Sequence, residues 1–137
     1  LRVSPIENRP LGDANADLVN ETEMGGLTSV FQLFGDARPV ESKAALALYR
    51  AAQEGLTNVR KHADASRVDV SLDFTQPDRI RLTVQDDGSG AADTSGGFGL
   101  VGIRERVQLL GGEFRVDTVP GKGFLLEVTV PVMEEEE

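Results

Sequence analysis

The glycines in the stretch "GGFGLVG", residues 96–102, have the spacing of a phosphate-binding turn. Gly97, Gly99 and Gly102 spell G-x-G-x-x-G, which in a dinucleotide-binding fold follows a buried strand and opens a helix. The helix is indicated, because "LVGIRERVQLLGG" is amphipathic and stops at two glycines. The strand is not, because the preceding "SGAADTSG" holds only small and polar residues. The sequence therefore predicts a phosphate at a helix N-terminus and argues against a dinucleotide fold.

A second group of reactive side chains shares one stripe of a helix predicted over about 41–62. At about 100° per residue, Asn58 lies about 40° from Glu54, Lys61 about 20° to the other side and His62 about 80° away. Glu and Asn oxygens beside a Lys suit Mg²⁺ that shares the phosphates of a substrate. The alternative is the solvated side of an ordinary amphipathic helix. Asn is a weak helix former, so its position in mid-helix favours a site.

A third candidate is the stretch "VQDDGSG", residues 84–90, where Asp86 ends a predicted strand. A carboxylate in that position can accept a hydrogen bond from the exocyclic amine of adenine. Gly88 and Gly90 would let a flat base approach the backbone. The alternative is that "DDG" only marks a turn.

The elements that must position these residues are three helices and five strands. The sequence predicts helices at about 11–24, 41–62 and 100–112, strands at 27–35, 67–74, 80–86, 113–119 and 124–132, and a loop at 87–99. One apolar stripe defines the long helix as a core helix: Ala45, Leu48, Ala52, Leu56, Val59 and Ala63. The last four strands form two hairpins. The predicted fold is α/β (α+β), a two-layer sandwich with a mixed five-stranded sheet and three helices on one face.

Composition limits the classes of partner. The chain has 137 residues, 14 basic and 23 acidic, and its net charge of −9 argues against nucleic acid or an anionic membrane surface. It has no Cys, which excludes disulfides and thiolate metal sites. No apolar run is long enough to span a membrane. We expect a soluble cytoplasmic chain, divided into a linker at 1–10, one domain at 11–133 and an acidic tail at 134–137.

Read in order, the motifs resemble the ATP-binding domain shared by sensor histidine kinases and the gyrase, chaperone and mismatch-repair ATPases, the Bergerat or GHKL fold. "EGLTNVRKHA" resembles its N box, "DDGSG" its G1 box, "GFGLVGIRERVQLLGG" its G2 box and "PGKGFLLEVTVP" its terminal G3 hairpin. "LYRAAQEGLTNVRKHADAS" is most similar to the subfamily of nitrate sensors and a membrane-fluidity thermosensor. "LRVSPIENRPL" is similar to the junction that follows the phosphoacceptor helices in that subfamily.

The resemblance implies a two-component kinase domain that binds ATP and Mg²⁺. It would transfer the γ-phosphoryl group to a histidine on a separate helical dimerisation domain of the same kinase, upstream of a response regulator. Asn58 would bind Mg²⁺, with Glu54 acting through a water on the metal and as catalytic base or orienter. The implied ATP-binding positions are Asn58, Lys61, His62, Asp86, Gly88, Gly90, Gly97, Gly99, Leu100 and Gly102.

The same resemblance gives three expectations about the chain by itself. His62 belongs to the N box and is followed by Ala63 instead of an acidic residue, so we do not expect it to accept the phosphoryl group. Without the acceptor domain, the chain should be monomeric and should not autophosphorylate. It would be cytoplasmic, or the cytoplasmic part of a membrane-bound sensor, without direct membrane contact.

One position departs from the family pattern and two rival functions stay open. Phe124 stands where a Thr usually follows the G3 glycines, so the pocket there must use another group or pack differently. A serine kinase of the anti-sigma-factor type has a similar N box, although the G2 helix and final hairpin favour a histidine kinase. A nucleotide-sensing module without catalysis is the second alternative.

Overall fold

The computed structural model describes residues 11–22, 27–62, 65–88, 98–119 and 123–131. In chain order these form α1 (Leu11–Thr22), β1 (Thr28–Phe34), α2 (Ser42–His62), β2 (Arg67–Asp73), β3 (Arg79–Asp86), α3 (Phe98–Leu109), β4 (Glu113–Val119) and β5 (Gly123–Pro131). The predicted linker at 1–10 and the acidic tail lie outside the described residues, as do Ala63, Gly90 and Gly97.

The strands form one mixed sheet in the order β1-β2-β3-β5-β4. β1 and β2 are parallel, and all other pairs are antiparallel. Both predicted hairpins are present, as β2–β3 and β4–β5. In the last hairpin, β5 pairs with β3, and β4 forms the edge of the sheet. This places the end of β3 beside the start of β5.

Alternation along the strands separates a buried face from a polar one. On the buried face, Val70 of β2 is opposite Val84 of β3, which is opposite Leu126 of β5. On the other face of the sheet lie Asp69 and Gln85. The three helices cover the buried face, where α1 contacts β1, α2 contacts β2, β3 and β5, and α3 contacts β4 and β5. The predicted two-layer fold is confirmed.

The long helix α2 carries the predicted apolar stripe and is fixed at its start. Its described stripe positions are all buried: Ala45, Leu48, Ala52, Leu56 and Val59. Glu41 caps the helix, because its carboxylate accepts a hydrogen bond from the Ala44 amide at 3.1 Å. Just before it, the guanidinium of Arg38 donates to the carbonyls of Phe74, at 2.9 Å, and Gln76, at 2.6 Å. These bonds tie the entry to α2 to the β2–β3 turn.

Helix α3 differs from its prediction at both ends. It begins at Phe98, whereas the sequence predicted a loop up to residue 99. The apolar pattern used for the prediction started at Leu100, which is buried. It ends at Leu109 instead of 112. The Gly111 amide donates to the Gln108 carbonyl and the Gly112 amide to that of Val107, with Gly111 at a φ of 79°. These two hydrogen bonds form a Schellman cap. The sequence correctly predicted that the two glycines end the helix, but the last helical residue is Leu109.

A buried asparagine makes α1 less stable than its packing allows. Asn15 is fully buried, and neither its Nδ2 nor its Oδ1 has a hydrogen-bond partner among the described residues. An unsatisfied buried polar group costs about 1–3 kcal/mol. We predict that Asn15→Leu raises the free energy of unfolding by about 1–2 kcal/mol, measured by urea denaturation. The exposed Asn20→Leu on the same helix is the control and should change it by less than about 0.5 kcal/mol. A destabilised Asn15→Leu protein would contradict the assignment.

Candidate functional site

The carboxylate of Asp86 lies at the end of β3 with one oxygen unused. Asp86 is 4% exposed and faces the helices, on the same face of the strand as Val84. Its Oδ1 accepts the Gly88 amide at 2.7 Å. Its Oδ2 is buried and has no hydrogen-bond partner among the described residues. A buried acceptor of this kind is costly unless a partner pairs with it, and its place at the end of β3, where the sequence predicts a site, makes it a candidate binding position.

The start of β5 forms a close wall beside this carboxylate. Gly123 has a φ of 98°, and a Cβ on it would collide with the backbone carbonyl of Asp86. The amide of Phe124 donates a hydrogen bond to the Asp86 side chain. The Phe124 side chain is 5% exposed and belongs to the core. The residue that departs from the family pattern therefore contacts Asp86 through its backbone and buries its ring.

Burial raises the pKa of Asp86 above the usual 3.8 of an aspartate, and the amides of Gly88 and Phe124 offset part of that increase. Below that usual value the folded and unfolded states are both protonated, so the buried group costs nothing. As the pH rises through the raised pKa, the unfolded state has already ionised, and the fold loses stability. The buried carboxylate therefore opposes folding at neutral pH.

This sign gives a prediction for Asp86→Asn, which cannot ionise. The free energy of unfolding of the variant minus that of the parent should increase as the pH rises from about 3.5 to 7. Urea denaturation at a series of pH values measures it. Asp73→Asn is the control of opposite sign, because hydrogen bonds from Thr75 lower the pKa of Asp73 and that stabilisation is lost as the pH falls. A flat difference for Asp86→Asn would contradict the assignment.

Helix α2 packs closely against the same end of the sheet at Gly55. A Cβ on Gly55 would lie 3.1 Å from Leu126 and 3.2 Å from Val84, so the helix packs closely on β3 and β5 there. Glu54 and Asn58, on either side of this contact, are both half-buried. The chain leaves α2 at His62 and enters β2 at Arg67, which is next to Val68, the partner of Asp86. The C-terminal half of α2 therefore leads to the end of the sheet that holds Asp86.

The other candidate residues lie on α2 and α3. Lys61 and His62 are in the last turn of α2, beyond Asn58. Gly99 and Leu100 are in the first turn of α3, where backbone amides lack partners within the helix, and Gly102 lies in the next turn. Leu100 is buried, whereas a Cβ on Gly102 would meet nothing within 4 Å. Packing does not explain the glycine at 102, so the open space beside it is available to a ligand.

The donor set suits a metal that is only partly held by protein. Among the described residues there is no cluster of three or more His, Cys, Asp or Glu side chains that could bind an ion. Mg²⁺ commonly uses one or two protein oxygens and completes its coordination with water and substrate phosphates. The oxygens of Asn58 and Glu54, four residues apart on one face of α2, fit that requirement.

Two contributors were missed by sequence reasoning. Gly123 appeared in a hairpin turn and in the G3 motif with no contact assigned to it, and its contact with Asp86 depends on β5 lying next to β3. Asp87, whose carboxylate accepts the amides of Ser66 and Arg67, appeared in the turn and G1 motif "DDGSG" with no role assigned to it. No local pattern identifies either position, because both contacts join segments that are distant in sequence.

The fold is a two-layer sandwich in which the long helix α2 lies over the end of β3 and the start of β5. The sequence profile of the histidine kinase-, DNA gyrase B- and HSP90-like ATPases matches residues 43–134. The chain belongs to this family.

Two histidine kinases are similar to this chain in sequence over most of its length. The chain is 35% identical over 117 residues to the signal transduction histidine-protein kinase/phosphatase DegS of Brevibacillus brevis, covering 83% of this chain and 30% of that protein. It is 36% identical over 125 residues to UhpB of Salmonella typhimurium, which has the same description, covering 88% of this chain and 25% of that protein. The chain thus spans less than a third of the length of these relatives.

A solved structure agrees with the fold. The histidine kinase domain of a blue-light activated histidine kinase from Erythrobacter litoralis superposes with a TM-score of 0.70 at 26% identity, covering 90% of this chain and 62% of that one. No helix in the described part of the chain is long and apolar enough to cross a membrane.

Proposed function

We propose that this chain is the ATP-binding catalytic domain of a two-component sensor histidine kinase. The observation that carries the proposal is the buried, unpaired Oδ2 of Asp86, held in place while Oδ1 binds the Gly88 amide. A carboxylate oxygen in this state can accept from the exocyclic amine of adenine, whereas guanine bound in the same orientation would place its keto oxygen against the carboxylate. Membership of the ATPase family and the similarity to named histidine kinases support the same function.

The phosphates would lie between α2 and the first turn of α3. The free amides and positive end of the α3 dipole suit phosphate, and Gly99, Leu100 and Gly102 contribute backbone there, with Gly97 preceding them. Asn58 would bind Mg²⁺, with Glu54 acting through water, and Lys61 and His62 would lie near the phosphates. The ion would neutralise charge on the transferred group, and the protein would mainly position the reactants.

The γ-phosphoryl group would pass to a histidine on a separate helical dimerisation domain, and from there to a response regulator. Glu54 would act as base or would orient the attacking imidazole. We propose residues 1–10 as the linker from that domain, 11–133 as the kinase domain and 134–137 as a solvated tail. We place the domain in the cytoplasm as a monomer, in the nitrate-sensor and thermosensor subfamily, without contact to membrane or nucleic acid.

Phosphotransfer can be tested with γ-labelled ATP, the purified chain and the helical domain encoded upstream of it. We expect acid-labile label on a histidine of the helical domain and none retained on this chain incubated by itself. Label retained on a histidine of this chain would contradict the proposal. Acid-stable label on a serine of a partner would favour the serine kinase alternative instead.

A further inference from the structure

Asp87 makes a cluster of hydrogen bonds at the junction of three strands. One carboxylate oxygen accepts the amides of Ser66 and Arg67, each at 2.9 Å, and the other accepts the Ser66 hydroxyl at 2.7 Å. The Asp87 amide donates to the Arg67 carbonyl at 3.2 Å. Ser66 in turn accepts the Thr28 amide through its carbonyl at 2.9 Å. The exposed carboxylate thereby joins the end of β3 to the start of β2, and Ser66 is separately bonded through its backbone to the start of β1.

The residues on either side of Asp87 in sequence form the adenine acceptor. Asp86 precedes it, and Gly88, whose amide binds Oδ1 of Asp86, follows it. Asp87 itself is exposed, so it does not line the buried acceptor. On the other strand, Ser66 lies four residues beyond His62, the end of α2. The hydrogen bonds therefore join the strand end that carries Asp86 to the segment that follows the helix of Glu54 and Asn58.

We infer that Asp87 is a positioning residue that fixes Asp86 and the C-terminal end of α2 relative to each other for nucleotide binding. The inference rests on the proposed function, since it needs a nucleotide at Asp86. Hydrogen bonds from Ser66 and Arg67 lower the pKa of Asp87, so the carboxylate stays ionised over the pH range in which Asp86 begins to protonate. The hydrogen bonds that the Asp87 carboxylate accepts from Ser66 and Arg67 therefore persist at a pH at which Asp86 takes up a proton.

Four proteins separate positioning from a general charge effect. Asp87→Ala removes all three side-chain bonds, whereas Asp87→Asn keeps an acceptor for the two amides and an amide group beside the Ser66 hydroxyl. Asp69→Ala removes a carboxylate of equal charge from the neighbouring strand, where it pairs with Arg67 at 2.9 Å and does not reach Ser66. Calorimetric titration with Mg-ATP gives the dissociation constant of each variant and of the parent.

We expect Asp87→Ala to weaken Mg-ATP binding roughly tenfold, a typical effect for residues that orient a ligand-binding group. Asp87→Asn and Asp69→Ala should stay within about twofold of the parent. In the intact kinase, Asp87→Ala should raise KM for ATP, and the conservative Asp87→Asn should restore KM to within about twofold of the parent, a rescue that a merely structural defect would not show. If Asp87→Ala does not fold, Asp87→Glu keeps the charge but shifts the carboxylate, and it should weaken binding roughly threefold.

The outcomes distinguish the two proposals. If the parent binds ATP and Asp87→Ala binds as tightly, the positioning role is wrong and the proposed function stands. If Asp69→Ala weakens binding as much as Asp87→Ala, the effect is electrostatic and the positioning role is wrong. If the parent itself fails to bind, both proposals are wrong.

Discussion

The variant Asp86→Asn should lose most of its affinity for ATP while remaining folded. With Oδ1 engaged by the Gly88 amide, the substituted amide would place its NH₂ where Oδ2 now stands, so a donor would face the donor amine of adenine. A hydrogen bond to a charged group contributes about 1.5–3 kcal/mol, which corresponds to roughly a 10- to 100-fold change in dissociation constant. Calorimetry with ATP measures the loss.

The control for this prediction is Asp69→Asn, which carries the same chemical change on the polar face of the sheet. It should bind ATP like the parent. Thermal unfolding should show Asp86→Asn to be no less stable than the parent at neutral pH, because the change removes a buried, incompletely paired charge. An Asp86→Asn protein that is stably folded and binds ATP normally would remove Asp86 from the site.

Replacing Asn58 by Ala should abolish the contribution of Mg²⁺ to nucleotide binding and to phosphotransfer. Asn58 is half-buried on α2, one turn beyond the close contact of Gly55 with β3 and β5. Loss of its oxygen leaves the ion with water, phosphate and any contact through Glu54. We expect the ratio of ATP affinities with and without Mg²⁺ to fall by about tenfold or more. The rate of phosphotransfer in the intact kinase should fall about 100-fold or more, as is usual when one group that stabilises transferred charge is removed.

Thr57→Ala is the matched control on the same helix. Its hydroxyl donates a hydrogen bond to the Gln53 carbonyl at 2.9 Å, so the side chain is held against its own helix. The Mg²⁺ dependence of this control should equal that of the parent. If Asn58→Ala keeps the full response to Mg²⁺, the metal is bound elsewhere and the assignment of α2 as its support is wrong.

The parts of this fold that are set by local pattern were predictable from sequence. The apolar stripe of α2 and the alternation of Val68, Val70 and Leu72 follow from helix and strand periodicity. The two glycines after Leu110 are typical of a Schellman cap. The start of α3 was predicted two residues late, within the usual variation of helix ends.

Contacts between distant segments were not predictable in the same way. The insertion of β5 between β3 and β4 decides that Gly123 meets Asp86, and no local signal specifies that pairing. The hydrogen bonds between Ser66 and the Asp87 carboxylate depend on the register of β2 against β3. The buried Asn15 contradicts the preference of polar residues for the surface, so its position follows only from the packing of α1. The candidate site residues on the helices could be named from sequence, but the close contact of Gly123 with Asp86 could not.

The most direct test of the central claim is a calorimetric titration of the purified chain with ATP and, separately, with GTP, both with Mg²⁺. With a purine whose 6-substituent faces the unpaired Oδ2 of Asp86, we expect saturable binding of one ATP per chain and at least about tenfold weaker binding of GTP, which would bring a keto oxygen to that position. Equal affinity for both nucleotides, or no saturable binding of ATP at millimolar concentration, would contradict the account.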